Sequence, residues 1–352
     1  MDFSVQPLCS LCLCGYRNVQ YNNHRDTENT EVAQRRLSKF TSQTKMIKLL
    51  LRKCLQGLMM VLIVSAVTFA LLGFAGGDAL TQLRDNPQIS AETIERLRSV
   101  YGLDQPLPIR YFRWLSGAVT GDLGESTYFR VPVSGLVWTR SVSTFLLGTA
   151  AFAIALTLAV SLSLISVRYK STMIAAFIDL LILVTASTPR IVLALVALAI
   201  SVRLTVSAMD RSSAVLFWLA ALALSAPLIS AFLAQFHGEL QRTMREDFIK
   251  LARAKGLSES AVILHHAVRP ALNPLLTIAG LSLGGVLGGS VIVESVLGRQ
   301  GLGTLMVSAV RARDLPLVMG IVLFTSTAVW LGNALGELLQ AVNDKRIRDL
   351  GF

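Results

Sequence analysis

The sequence predicts an all-α polytopic membrane protein: six transmembrane helices, an extracytoplasmic loop after the first span, and a cytoplasmic helical loop before the fifth. Three observations predict it. The 352 residues are 53% hydrophobic and only 16% charged, with a mean hydropathy of +0.58. Several apolar runs exceed the ~20 residues needed to cross ~30 Å of hydrocarbon. Basic residues cluster beside those runs, where they set orientation and meet anionic lipid. The net charge of +11 therefore points to a membrane surface and not to nucleic acid.

Residues 1–45 are polar, rich in Asn, Gln and Thr, and without periodicity, which predicts a disordered tail. They lack the apolar core and cleavage site of a signal peptide. Cys9, Cys12 and Cys14 stand as C-x-x-C-x-C with His24 nearby, but no second ligand cluster supports a metal or redox site. Cys54, at a span edge, is expected to be packed. The first span runs from about Leu55 to Phe74. Lys45, Lys48, Arg52 and Lys53 precede it and put its start in the cytoplasm.

The polar segment 76–139 then lies outside, with six Lys/Arg against seven Asp/Glu. It holds a helix over Ala91–Tyr101, with Ser90 as N-cap and Gly102 just past the end. Tyr111, Phe112 and Trp114 suit either an interfacial helix on the outer leaflet or a small packed cap. The second span, about Val142 to Val167, is free of charge, and Arg168 and Lys170 return the chain to the cytoplasm. The third covers about Ala175 to Val202, and Pro189 in its middle predicts a kink. Arg190 follows at once. A charge near mid-membrane costs ~2.5–3.5 kcal/mol unless it faces protein or water, so Arg190 either lines a pathway or snorkels. The fourth span runs from about Ala214 to Phe236, with Pro227 inside.

Residues 239–274 form a cytoplasmic loop marked by Arg242, Arg245, Lys250, Arg253, Lys255 and Arg269. Its centre, Asp247 to Pro274, reads as two short helices joined at a glycine. Phe248, Leu251 and Ala252 fall at i, i+3 and i+4 and make one apolar face. Gly256 stops the first helix by taking the left-handed cap position, and Ser258 caps the second, with Glu259 in its first turn. Such a shape either docks a soluble partner or is a plain solvated loop. His265 and His266 are adjacent and point to different sides of a helix, so they cannot jointly chelate.

The fifth span, Leu275 to about Val293, repeats glycine every fourth residue at Gly280, Gly284 and Gly288, and again at Gly285 and Gly289. That spacing lets helix backbones approach closely and predicts the tightest helix contact of the fold. Glu294, at the end of this span, is either a pathway residue or a solvated cap. The last span runs from Leu317 to about Leu335 and ends in the basic stretch Asp344–Arg348. An even number of spans leaves both termini inside.

ARAKGL followed by HAVRPALNP resembles the EAA loop of the permease subunits of ATP-binding-cassette importers, in the form of the dipeptide/oligopeptide/nickel branch. The Glu-Ala-Ala positions of that loop fall on Lys250, Leu251 and Ala252, of which the first two depart from the general pattern; Ala252, Ala254 and Gly256 carry the match. LDQPLPIRYFRWL and GDLGES resemble family stretches after the first span. VESVLGRQGLG resembles the segment ending in PGLG, with Gln300 in place of proline, and RARDLPLV also matches. Met46 opens what looks like a family start, so the tail is either an over-extended gene start or an added appendage.

The resemblance covers about residues 46–352. It implies that Phe248 to Leu257 sit in a cleft of an ATPase subunit, and that the chain forms half of a translocation pathway for peptides, with nickel complexes next. It further implies a paralogous second permease, two ATP-binding subunits, a periplasmic solute-binding protein and an inner-membrane location. Within the span region, Arg190 and Glu294 are candidate pathway residues and Gly280, Gly284 and Gly288 candidate packing residues.

No site for chemistry is visible. The sequence has no Walker-type glycine loop, no His-Glu-x-x-His and no Gly-x-Ser-x-Gly elbow, so no cofactor is expected and ATP hydrolysis falls to a partner. A membrane-embedded enzyme would need paired ionisable residues inside spans. Only Asp179 and Arg190 approach that, and eleven residues at ~1.5 Å each set them too far apart to pair.

Overall fold

Helices account for nearly all of the computed structural model, which describes residues 51–74, 90–100, 102, 104–170, 172–206 and 213–343. The expectations for the tail 1–45, for the first part of the outer loop and for the basic stretch 344–348 lie outside these residues. Among the described residues the strand-like contact is a single bridge, Glu125 to Pro132. Five helices among the described residues are long and apolar enough to cross a membrane, and a bent helix pair makes a sixth if it is counted as one span.

The first span, α1 (Leu51–Phe74), leaves most of its large side chains exposed. Ser65 hydrogen-bonds the Tyr111 hydroxyl at 3.0 Å, and buried Phe69 meets the Tyr111 ring edge-on at 5.4 Å. Cys54 is exposed rather than packed; it precedes Gly57, the first close approach of α1, where the Trp330 indole occupies the space of a side chain. The segment after α1 holds α2 (Ala91–Val100) and α3 (Leu107–Val119), which buries none of its residues. α3 is half-exposed along its length and packs on α1 through Tyr111.

The longest buried seam lies between α4 (Val133–Tyr169) and α7 (Ser213–Thr243). Along α4 the buried positions Ser141, Thr144, Gly148, Ala151, Ala155 and Ala159 recur every three or four residues. These small side chains let neighbouring helices come close: Thr144 and Gly148 face Glu294 and Val286 of the fifth-span helix, and the seam with α7 follows. α7 fills that seam with Leu224, Phe232, Phe236 and Leu240, all buried, and Phe232 meets Phe152 edge-on at 5.1 Å.

The third crossing is broken rather than kinked. α5 (Thr172–Ser187) and α6 (Arg190–Val206) meet at 98°. Pro189 has no N–H to continue α5, and it biases Thr188 away from the helical region. The second half restarts when Val192 N–H donates to the Pro189 carbonyl at 3.0 Å.

A second difference concerns the loop. α8 (Asp247–Ala254) is the short helix expected, but the helix after the glycine does not stop. It runs on as α9 (Glu259–Leu297), 39 residues that include the whole fifth span. Residues Val262–Ala267 form a π-helical stretch within it. Pro270 has no N–H for the His266 carbonyl and crowds it, and a π turn absorbs that misfit without ending the helix.

The glycine repeat of α9 also divides. A Cβ on Gly280 would lie 3.2 Å from Gly336 Cα in α11 (Leu315–Asn343), and one on Gly336 would lie 3.0 Å from Gly280 Cα. There the two backbones touch. Gly284 faces the Val329 side chain at 3.4 Å, and Gly288 has nothing within 4 Å. The expectation of a tight contact along all three holds at one end, because crossing helices diverge away from their point of closest approach. Between α9 and α11 sits α10 (Leu302–Arg311), a short apolar helix.

Candidate functional site

Two constellations flank the membrane region, one at each end of α9. At the Glu259 end, α8 closes in a full left-handed cap. Gly256 takes φ +80°. Its N–H donates to the Arg253 carbonyl at 2.9 Å, and Leu257 N–H reaches back to the Ala252 carbonyl at 3.4 Å. These are the two bonds of a Schellman motif, which only a residue at ease with positive φ completes without strain. The Ser258 hydroxyl then accepts from Ala261 N–H at 3.3 Å and caps α9.

Across the glycine, Arg253 grips Glu259 with two hydrogen bonds, 2.8 and 3.1 Å, and Lys170 approaches Glu259 at 3.8 Å. On the far side of α8, Lys250 hydrogen-bonds Asp247 at 2.7 Å; this ammonium holds the Asp247 carboxyl below the ordinary carboxylate range.

The apolar residues of α8 do not form one face. Ala252 points inward with Ile249, and both are buried, whereas Phe248 and Leu251 point outward at 45% and 58% exposure. The helix has two apolar stripes, and the i, i+3, i+4 reading joined one residue of the inner stripe to two of the outer. Ile249, fully buried, was not singled out. Leu257, 42% exposed, adds to the outer stripe, while Lys250, Ala254 and Gly256 are exposed around it. Behind the loop, Val262, Ile263 and Ala267 are buried, so the loop is seated on the bundle and its outer stripe is held in place.

At the other end of α9, Glu294 is not a solvated cap: it is 1% exposed. Thr144 of α4 donates to its Oε1 at 2.7 Å and Gly303 N–H to its Oε2 at 2.8 Å. Thr144 in turn accepts from Leu302 N–H at 2.8 Å. The carboxylate thus meets the orphan N–H groups and positive end of α10. The approach needs glycine, since a Cβ on Gly303 would lie 2.4 Å from Val291 Cα.

A second carboxylate works alike. Asp314, fully buried, accepts from the Ser126 hydroxyl at 2.5 Å, Tyr128 N–H at 3.0 Å and Leu317 N–H at 3.2 Å. It ties GDLGES to RARDLPLV, two stretches far apart in sequence. Gln300, which stands where the resemblance expects proline, receives a hydrogen bond from Arg140.

In mid-bundle, the Arg190 guanidinium lies against α9, 3.0 Å from where a Cβ on Gly289 would sit. The second glycine pair, Gly285 and Gly289, therefore makes room for a side chain and not for a backbone.

Comparison with known proteins gives these motifs a frame. Residues 155–349 match the model of the family described as binding-protein-dependent transport system inner membrane component, and residues 46–159 match that family's N-terminal membrane component model. A relative from Brucella suis biovar 1 (strain 1330) that bears a peptide permease name is 34% identical over 317 residues, covering 86% of this chain and 99% of the relative. The oligopeptide transport system permease protein AppB of Bacillus subtilis (strain 168) is 28% identical, over 85% of this chain and 98% of its own. The glutathione transport system permease protein GsiC of Pectobacterium atrosepticum is 32% identical, over 82% and 94%.

Proposed function

The chain belongs to the binding-protein-dependent inner membrane components, the permease subunits of ABC importers, and from that premise we propose that it forms half of a peptide pathway across the inner membrane. It is a transport subunit, not an enzyme. In this reading a paralogous permease completes the pathway, two ATP-binding subunits hydrolyse ATP, and a periplasmic protein delivers the peptide. Both termini lie in the cytoplasm and residues 76–139 lie outside.

One observation carries the reading: the exposed stripe Phe248, Leu251 and Leu257 is fixed to α9, a single helix that spans the membrane. An ATPase cleft that receives this stripe moves α9 as a rigid body, which converts nucleotide-driven closure into rearrangement of the spans. Ala252 supports the stripe from the inner side, and Lys250 and Ala254 border it. Arg190, at the 98° break and against the glycines of α9, borders the pathway.

The test is co-purification and uptake. Membranes expressing the chain with its neighbouring subunits should yield an ATPase on solubilisation, and labelled dipeptide uptake should require ATP. Cysteines placed at Asp122 and Ser260 should label from opposite sides. Absence of an ATPase, ATP-independent uptake, or labelling from one side would each reject the reading.

A further inference from the structure

A cavity of about 430 Å³ opens at the Glu259 end of the bundle, and the docking stripe does not use it. Lys170 at the end of α4, Thr172 and Ala175 at the start of α5, Gln241 and Arg245 at the end of α7, and Arg253 of α8 line it. Three cations converge on this space. The carboxylate beside them is Glu259, already engaged by Arg253 at 2.8 Å and by Lys170 at 3.8 Å. The lining residues include three cations and no carboxylate, and Glu246 and Asp179, near them in sequence, are exposed. Arg245 has no acidic partner among the described residues. Lys170 closes α4 in a left-handed conformation, φ 50°, which a lysine does not favour.

The depth of the cavity narrows its occupant. α4 carries no charge from Ser141 to Val167, 27 residues, about 40 Å of helix at 1.5 Å per residue. That exceeds a hydrocarbon core of ~30 Å, so Lys170 stands at headgroup level. Tyr169 and Met173, next in sequence to the lining residues, are 71% and 85% exposed, and Phe177 one turn further is exposed too. A recess lined with cations beside exposed apolar side chains matches a molecule with an anionic head and apolar tails.

We propose that this cavity binds the phosphate headgroup of an acidic phospholipid. Arg245 and Lys170 take the phosphate oxygens through charge-assisted hydrogen bonds. Thr172 and Gln241 offer a hydroxyl and an amide, and the acyl chains lie along Met173 and Phe177. Arg253 and Glu259 flank Gly256, so the bound headgroup braces the cap of α8 against the turn between α4 and α5. The effect on coupling rests on the function proposed above; the binding does not.

The experiment uses the full chain with its co-purifying subunits in neutral detergent, titrated with dioctanoyl phosphatidylglycerol, dioctanoyl phosphatidylcholine or inorganic phosphate, and reads thermal shift and retained lipid by native mass spectrometry. Phosphatidylglycerol should raise the melting temperature saturably and remain bound, while phosphatidylcholine should not. Lys170→Gln with Arg245→Gln should weaken binding about thirtyfold, the combined contribution of two juxtamembrane cations. Ala175→Phe, which fills the cavity without changing charge, should weaken it at least as much and covers the case in which the double variant does not fold. Lys170→Arg with Arg245→Lys should keep it. Equal responses of wild type, double variant and Ala175→Phe would overturn the site. A shift with inorganic phosphate and none with phosphatidylglycerol would overturn the lipid assignment. Because retained lipid is read directly, a failed uptake assay leaves this result standing on its own.

Discussion

The two ends of α9 solve opposite problems. At Leu297 the helix ends against a carboxylate that is buried and fully engaged: Glu294 receives Thr144 and Gly303, and the nearby Asp314 receives Ser126, Tyr128 and Leu317. Three of these bonds, from Thr144, Ser126 and Tyr128, reach across the chain and close it on itself. At Glu259 the cap bonds are local, and Lys170 of α4 approaches from afar only at 3.8 Å. Gly256 and Ser258 satisfy the backbone within a dozen residues, and Phe248, Leu251 and Leu257 are left uncovered. A buried polar group without a partner is costly, so the Glu294 end is built as a closed joint. Exposed apolar side chains on a fixed frame cost little until a partner covers them, so the other end is built as an offered surface. One rigid helix links the joint to the surface.

This contrast predicts a gradient of effects on the stability of the chain itself. The largest belongs to the closed joint. Glu294→Ala leaves Gly303 N–H and the Thr144 hydroxyl without their acceptor in a buried site, which should cost about 3 kcal/mol. Membrane abundance and the melting temperature in detergent should both fall. Glu294→Gln, which keeps an acceptor on one side, should fall less. An unchanged melting temperature for the alanine variant would mean that Glu294 is not part of a joint.

The glycines of α9 come next and sharpen the comparison along the helix. Gly280→Leu must push its side chain into the Gly336 backbone at 3.2 Å, and should cost about 1–3 kcal/mol by overpacking. A Cβ on Gly288 meets nothing within 4 Å, so Gly288→Leu should lower the melting temperature less than Gly280→Leu does. If both variants melt alike, the contact at Gly336 is not the close crossing described.

Most of the fold was legible because it is written in run length and charge. Apolar runs located the five long helices and the bent pair, and Gly256 and Ser258 announced their caps by residue type. What was not legible depended on partners far away in sequence. Nothing near Glu294 shows that Thr144 and Gly303 close around it, so it read as a pathway residue or a cap. Gly280, Gly284 and Gly288 look equivalent until α11 is seen to touch only the first. Ile249 was hidden because a short helix with two apolar stripes gives no single period. The run from Glu259 through Pro270 and Pro274 looked like an end and a new start, since proline commonly stops a helix, and here a π turn carries it on. A dyad pairing Ile249 with Ala252 at i+3 was the available signal for the inner stripe of α8.

Gly256→Val ranks third. Valine at φ +80° costs about 1–2 kcal/mol, confined to an exposed turn, and the spans keep their own backbone bonds. Insertion and abundance should be normal. The cap should open, however, and turn the outer stripe of α8 away from α9. Recovery of the ATPase in a pull-down from solubilised membranes should drop severalfold, and uptake with it. Retention of both would make residues 247–274 an ordinary loop.

The smallest effect on the chain and the sharpest test of the comparison come from the outer stripe itself. Phe248→Ser with Leu251→Ser removes two side chains that are 45% and 58% exposed and touches neither Ile249 nor the cap bonds. Surface substitutions of this kind stay within about ±0.5 kcal/mol, so the melting temperature and abundance of the chain should not move. At an interface the same residues act as anchors, and losing an apolar anchor costs about 2 kcal/mol or more of binding. ATPase recovery should therefore fall by about thirtyfold or more while the chain alone is indistinguishable from wild type. The matched inward change, Ile249→Ser, should do the reverse in order: the melting temperature drops first, because a hydroxyl is buried where no partner awaits it, and ATPase recovery falls only as the loop loosens. If Phe248→Ser with Leu251→Ser destabilises the chain as much as Ile249→Ser does, the outer stripe is packed within the subunit, and the Glu259 end is a closed joint like the Glu294 end.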